Sequence, residues 1–174
     1  MATVHIVKAP NKILTEKTKR VRVFEGETQK IIKDLKDTLD KARNPEGAGL
    51  SANQIGAPKS ICVVRNFFMD PLDESKELFD EKILINPKIV PKDLEEEEGW
   101  EGCLSIPNTY GKVLRSKRIK VRYQNEIGQK QSLDAKDFFA RVIQHETDHL
   151  NGILFTSKVV GNTVTEDFFN AKRL

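Results

Sequence analysis

Apolar positions in this chain recur at helical spacing in two segments and alternate in several shorter ones. Ile31, Ile32, Leu35 and Leu39 share a face of residues 29–42, with Thr28 as candidate cap and Asn44-Pro45-Glu46-Gly47 as the break. A second helix is predicted over 135–150, after Asp134 as candidate N-cap and before Gly152 as candidate stop. Phe138, Val142, His145 and His149 share one of its faces, and Phe139 and Ile143 flank them. Strands are predicted at 60–65, 82–87, 88–90, 103–106, 119–123 and 129–133. The acidic stretch 66–81, with Pro71 inside it, reads as an exposed loop containing a short helical turn, and 93–98 as a solvated acidic turn. Near the end, 165–174 looks helical, with Lys172 and Arg173 as its basic end. The order of elements is that of an α+β protein.

Length and charge narrow the class. A chain of 174 residues suits one domain, 1–174, and neither repeats nor a linker divide it. Lys and Arg number 29 against 26 Asp and Glu, a net charge of +3, so bulk charge gives no sign of a nucleic-acid partner. Arg118, Lys120 and Arg122 alternate with Ile119, Val121 and Tyr123, which makes the basic segment the wet face of a strand. No apolar run approaches a membrane span and the N-terminus lacks a signal-peptide pattern, so a cytoplasmic location with no membrane partner is expected. Cys62 and Cys103 are too few for a disulfide framework, and Cys62, within Ile61-Cys62-Val63-Val64, reads as core packing.

The chemistry concentrates in His145-Glu146-Thr147-Asp148-His149. Residues four apart lie on one helical face, so His145 and His149 can present imidazole nitrogens to one metal ion while Glu146 leans to the same side. The pentad alone would also suit a charged, solvated helix face. Here the histidines extend an apolar stripe, which favours burial of ligands. A hydrolytic site needs a third protein ligand, and Cys103 in Glu101-Gly102-Cys103-Leu104-Ser105 is the best candidate; His5 is the remaining histidine. With a fourth position left for water, Glu146 can take that water's proton and deliver it to a leaving amine. Gly49 lets backbone approach a bound peptide closely, while Val142 and Phe138, one and two turns before His145, wall a pocket suited to an unbranched apolar side chain. Arg141 is expected to lay its stem over that wall and keep its charged head at the pocket mouth, favouring acidic peptides. By helical phase Asp148 points away from the metal.

Three stretches together resemble the peptide deformylases: Gly47-Ala48-Gly49-Leu50-Ser51-Ala52-Asn53-Gln54-Ile55-Gly56, then 101–105, then 144–152. Ser51 stands where alanine is frequent, and Trp100 precedes Glu101 where members vary. The resemblance implies mainly antiparallel mixed sheets around a central helix carrying H-E-x-x-H. It implies a divalent metal held by Cys103, His145 and His149, iron(II) foremost, with zinc, nickel or cobalt fitting similar ligands. Gln54 and the backbone N–H of Leu104 match the family's oxyanion donors, and Glu101 pairs with an arginine matched by Arg115. The implied substrate is the N-formyl group on the initiator methionine of nascent peptides, released as formate. Bacterial members often end in a longer basic helix linked to ribosome docking, whereas here only the short 165–174 segment looks helical, so the resemblance implies no more than a transient ribosome association. A metallopeptidase cutting internal bonds would share the pentad, but usually draws a third ligand from downstream, where no histidine follows His149. A silent, metal-stabilised binding module would need neither Glu146 nor Gln54.

Overall fold

The computed structural model describes residues 4–42, 47–92 and 94–171. Among the described residues seven strands and three α-helices, with short 3-10 turns between, form an α+β fold in which these strands pair antiparallel. The strands are β1 (Gly49–Ser51), β2 (Ile61–Asp70), β3 (Asp73–Pro91), β4 (Glu96–Cys103), β5 (Ile106–Ser116), β6 (Arg118–Gln124) and β7 (Lys130–Lys136). The helices are α1 (Glu27–Leu39), α2 (Asp137–Leu150) and α3 (Glu166–Ala171). One sheet has the order β1-β2-β3-β6-β7, and β4 pairs with β5 in a second.

The larger sheet is buried on both faces along the first half of β2, which alternates between two apolar partners. Ile61 and Val63 pack with Ile31, Leu35 and Leu39 of α1, whereas Cys62 and Val64 pack with Ala140, Val142 and Ile143 of α2. Cys62 is therefore core, as its sequence context predicts, and burial pushes its thiol well above the usual range. Ile119 and Val121 are buried while Arg118 and Arg122 face water, as the alternation of β6 requires.

Several boundaries differ from expectation for physical reasons. The stretch 66–81 is not a loop but the far end of the β2–β3 hairpin, paired from Asn66↔Asp80 to Met69↔Glu77. It is largely exposed on both faces, so no apolar period marks it; cross-strand contacts such as the edge-on pair Phe67–Phe79, 5.8 Å between centroids, hold it instead. Asp70 closes the turn by accepting the N–H of Leu72 at 2.9 Å. The segments expected at 82–87 and 88–90 are one strand with a register shift between Ile85 and Lys88. Asn86, at φ 53°, fills that irregularity and exchanges two hydrogen bonds with the backbone of Val21. Much of the acidic turn is strand: Glu96, Glu97 and Glu98 belong to β4, and Glu98 pairs with Lys112 across the ladder at 2.8 Å. Asp93 lies outside the described residues, as do Lys172, Arg173 and most of the Asn44-Pro45-Glu46-Gly47 break.

Helix α1 starts earlier than expected, with Gly26 rather than Thr28 at its cap; the Thr28 hydroxyl donates to the carbonyl of Val23. Helix α2 starts later, because Asp134 and Ala135 are still paired in β7. Its end matches expectation in kind. Gly152 has φ 75°, and a Cβ there would come within 2.6 Å of the Thr15 carbonyl oxygen, so glycine is required. No helix among the described residues is long and apolar enough to cross a membrane.

Candidate metal centre and catalytic pocket

Helix α2 carries His145 and His149 one turn apart, and β4 delivers Cys103 from the second sheet at the point where its pairing with β5 shifts register. The three ligating atoms lie within 4.8 Å of one another. His149 Nε2 is 3.2 Å from Cys103 Sγ and 3.2 Å from His145 Nε2. Tetrahedral ligands at zinc-like bond lengths would stand about 3.3 Å (N···N) and about 3.6 Å (S···N) apart. The donor set therefore fits one divalent ion. His5 has no part in it.

Glu101 organises the surroundings of these ligands. Its carboxylate accepts paired hydrogen bonds from Nε and Nη2 of Arg115, both 2.9 Å, and Nδ1–H of His145 donates to it at 2.9 Å. That bond leaves Nε2 of His145 as the ligating nitrogen and fixes the ring plane. Burial opposes ionisation of Glu101, but the hydrogen bonds from Arg115 and His145 outweigh it and hold its carboxyl well below the usual carboxylate range. Arg115 also binds Asp148, which pairs in turn with Lys158 at 2.7 Å. Asp148 is outside the candidate ligand set, yet through Arg115 it is tied to Glu101, the carboxylate that orients His145. Burial first, and then the neighbouring charges of His145 and Arg115, push His149 well below its usual range, which favours the neutral imidazole that a metal needs.

Glu146 is buried and faces a cavity that Cys103 and His145 also line. Burial raises its carboxyl above the usual range, against the opposing charge of His145 and a hydrogen bond from the Ser51 hydroxyl to Oε2. Gly49 is the reason it fits. A Cβ there would lie 2.7 Å from Cγ and 2.8 Å from Oε1 of Glu146, so the strand can approach the carboxylate only with a bare backbone. The expected approach of Gly49 backbone to a ligand thus has a second cause inside the protein.

Gln54 sits in a tight 3-10 turn opened by Ser51. Its Oε1 accepts the Ser51 N–H at 2.8 Å, which turns Nε2 toward Ser105 Oγ at 3.1 Å and Cys103 Sγ at 3.6 Å. Leu104 directly follows the cysteine and lines the cavity. The cavity holds about 180 Å³, and Trp100, Tyr110, Phe138 and Val142 line it together with the candidate ligands Cys103 and His145. Phe138 is 56 % exposed, whereas Val142 is buried.

Arg141 borders the cavity, as expected, but its charged head departs from expectation: the guanidinium is buried between α2 and the β4–β5 sheet. Nη1 donates to the carbonyls of Val113 at 2.8 Å and Gly99 at 3.2 Å and to Glu101 Oε1 at 3.1 Å, and Nη2 to the carbonyl of Glu97 at 2.7 Å. A buried guanidinium is tolerated when its donors are matched, and these acceptors come from a sheet that helical phase cannot reveal. A Cβ on Gly99 would lie 2.7 Å from Nη2, so that glycine makes room for it.

Sequence reasoning also passed over Ser51, Asn53, Ser105 and Tyr110. Asn53 Nδ2 donates to the carbonyl of His149 at 2.7 Å and anchors the end of α2. Ser51 and Gln54 did carry a signal: Ser-x-x-Gln is the spacing of a capping box, in which the Gln side chain returns to the cap N–H. Tyr110 carried none, since an aromatic in a strand fits any sheet.

Residues 3–164 match the family model described as polypeptide deformylase. Peptide deformylase 1 of Bacillus cereus is 43% identical over 159 residues, covering 91% of this chain and 94% of that protein. Peptide deformylase 1 of Bacillus subtilis is 40% identical over 167 residues, covering 96% of each. Among solved structures, a Synechococcus elongatus peptide deformylase in complex with actinonin superposes with TM-score 0.78 at 34% identity, over 91% of this chain and 80% of that one. An Acinetobacter baumannii peptide deformylase with Met-Ala-Ser bound gives 0.77 at 28% identity, over 91% and 99%.

Proposed function

The chain belongs to the peptide deformylase family, metal-dependent hydrolases that remove the N-formyl group from new polypeptides, and we propose that Cys103, His145 and His149 hold the metal while Glu146, Gln54 and Leu104 carry out the proton and charge handling. The observation that carries this assignment is the mutual 3.2 Å spacing of His149 Nε2 with Cys103 Sγ and with His145 Nε2 beside a buried, cavity-facing Glu146. When bound, the ion supplies Lewis acidity, lowering the pKa of a water and polarising the formyl carbonyl. Glu146 accepts the water's proton; its raised affinity for protons suits a group that must then give that proton to the departing amine. The Ser51 hydroxyl at Oε2 holds the carboxylate in one orientation. Gln54 lends an Nε2–H, and Leu104 its backbone N–H, to the oxygen that gains negative charge as water adds to the formyl carbon. Glu101 and Arg115 keep His145 aligned.

Phe138 and Val142, with Trp100 and Tyr110, receive the methionine side chain. The Acinetobacter baumannii relative that holds Met-Ala-Ser favours this use of the cavity. A cytoplasmic location follows from the substrate, since formylated chains emerge where they are made. Iron(II) is proposed as the native ion; a thiolate and two imidazoles also accept cobalt, nickel or zinc, which bind such ligands more tightly, so availability and not affinity would select iron. Transient docking near the ribosome would bring the enzyme to its substrate.

The test is formate release from formyl-Met-Ala-Ser by anaerobically purified protein, with the metal quantified in the same sample. Formyl-methionyl peptides should turn over far faster than acetyl-methionyl ones, because an added methyl must fit between the metal and the strand end at Leu104. Equal rates on both, or hydrolysis of internal bonds instead, would remove the assignment.

A further inference from the structure

After α2 the chain returns to the outer edge of β5. Val159 bridges Val113 and Val164 bridges Tyr110, the latter pair exchanging backbone hydrogen bonds of 2.9 and 2.8 Å. Asn108 Oδ1 then accepts the N–H of Glu166 at 2.8 Å, where α3 begins. This path sets the Phe169 ring on Tyr110, with centroids 4.2 Å apart and planes within 2°. The same ring meets Trp100 edge-on, 5.5 Å away at 70°. Trp100 and Tyr110 both line the cavity beside Cys103 and His145; Phe169 touches it through them.

Tyr110 is constrained from a second side. It pairs with Gly102 across the β4–β5 ladder, and a Cβ on Gly102 would lie 2.7 Å from its ring. The ring therefore rests on bare backbone one residue before the Cys103 ligand. Phe169 thus touches both aromatic rings at once, and Lys112 Nζ lies 5.8 Å from the Trp100 ring centroid.

We propose that Phe169 is a positioning residue for substrate selection: α3 delivers it to lock Trp100 and Tyr110 as a preformed wall of the methionine pocket. This rests on the reading of the cavity as that pocket. Stacked and edge-on rings prefer defined geometries, and a wall already ordered in the free enzyme loses no freedom when the side chain enters. Such a contribution is felt alike by bound substrate and transition state, so it appears in KM and leaves kcat in place.

Trp100 is the chain's single tryptophan, so its emission reports the contact directly. The experiment compares wild type with Phe169→Ala, Phe169→Leu and Phe169→Tyr. For each it records metal content, melting temperature, Trp100 emission, kcat and KM on formyl-Met-Ala-Ser, and calorimetric affinity for the product Met-Ala-Ser. Ala and Leu should shift the emission, raise KM about three- to tenfold with kcat within about twofold, and weaken product binding in step. Their preference for methionine over phenylalanine at the first position should narrow. Tyr should restore all of these, with metal content constant throughout. A shifted emission with KM and product affinity unchanged would overturn the proposal, as would a KM that follows melting temperature across the series instead of the presence of a ring. If Ala fails to fold, the Leu and Tyr pair decides. Failure of the deformylase reading itself would look different, since the wild type would then release no formate.

Discussion

The hydroxyl of Ser51 donates to Oε2 of Glu146, across a gap that Gly49 keeps open by having no side chain. Strand β1 and the turn after it thus position the carboxylate on α2, although neither supplies a metal ligand. Gly49→Ala would push a Cβ to within 2.7 Å of Glu146 Cγ, and the buried carboxylate has little room to yield. The expected result is a fall in kcat of about 10²-fold from a misplaced base, with metal content intact. Ser51→Ala removes one hydrogen bond from a carboxylate that the fold still holds, so its kcat should drop only about fivefold. Stopped-time formate assays on both variants check the order; a larger loss for Ser51→Ala than for Gly49→Ala would contradict it.

Proton transfer and charge stabilisation should separate cleanly from metal binding. Glu146→Gln keeps the shape of the side chain but not its basicity, and should lower kcat by about 10²–10⁴-fold. Gln54→Leu loses an oxyanion donor, and should lower kcat by about 10²–10³-fold. Neither residue belongs to the Cys103, His145, His149 set, so metal per chain should match wild type in both. Near-normal turnover in either variant would take that residue out of the mechanism.

Metal stoichiometry tests the three-ligand set directly. Purified protein should carry about one transition metal per chain, as expected of one open tetrahedral site. Cys103→Ala leaves two imidazoles and should lose most of it, by elemental analysis after dialysis. Retention of a full equivalent would place the ion elsewhere.

Much of this site was legible because its parts are local. His145, Glu146 and His149 are fixed relative to one another by helical phase, and Phe138 and Val142 follow from the same phase. Cys103 was within reach because a hydrolytic site needs a third ligand, and the chemistry of thiolates narrows the choice. What stayed hidden depends on strand partners. Nothing near Arg141 in sequence announces that Gly99, Val113 and Glu97 will present three carbonyls to it, or that Glu101 will serve Arg115, Arg141 and His145 at once. The hairpin end at 66–81 was misread for a related reason. Its strands stabilise each other without a buried face, so no alternation of apolar residues marks them.

Arg141 supplies the remaining prediction, one of stability. Its guanidinium ties α2 to the β4–β5 sheet through three carbonyls and Glu101, so it spans the two elements that bring the histidines and the cysteine together. Arg141→Met would keep most of the apolar stem and strip away the donors, leaving buried acceptors and one carboxylate without a partner they now have. Removing one side of such a buried network costs about 3–5 kcal/mol. For a domain of this size each kcal/mol moves Tm by about 2–4 °C, so a drop of about 6–20 °C is expected in calorimetry. Folded variant should still bind metal, because Arg115 and His145 continue to hold Glu101 in place. Peptides with acidic, neutral or basic residues after methionine should be discriminated no differently from wild type, since the charge faces the sheet and not the pocket mouth. A Tm within about 2 °C of wild type, together with a new charge preference, would show the guanidinium working at the mouth after all.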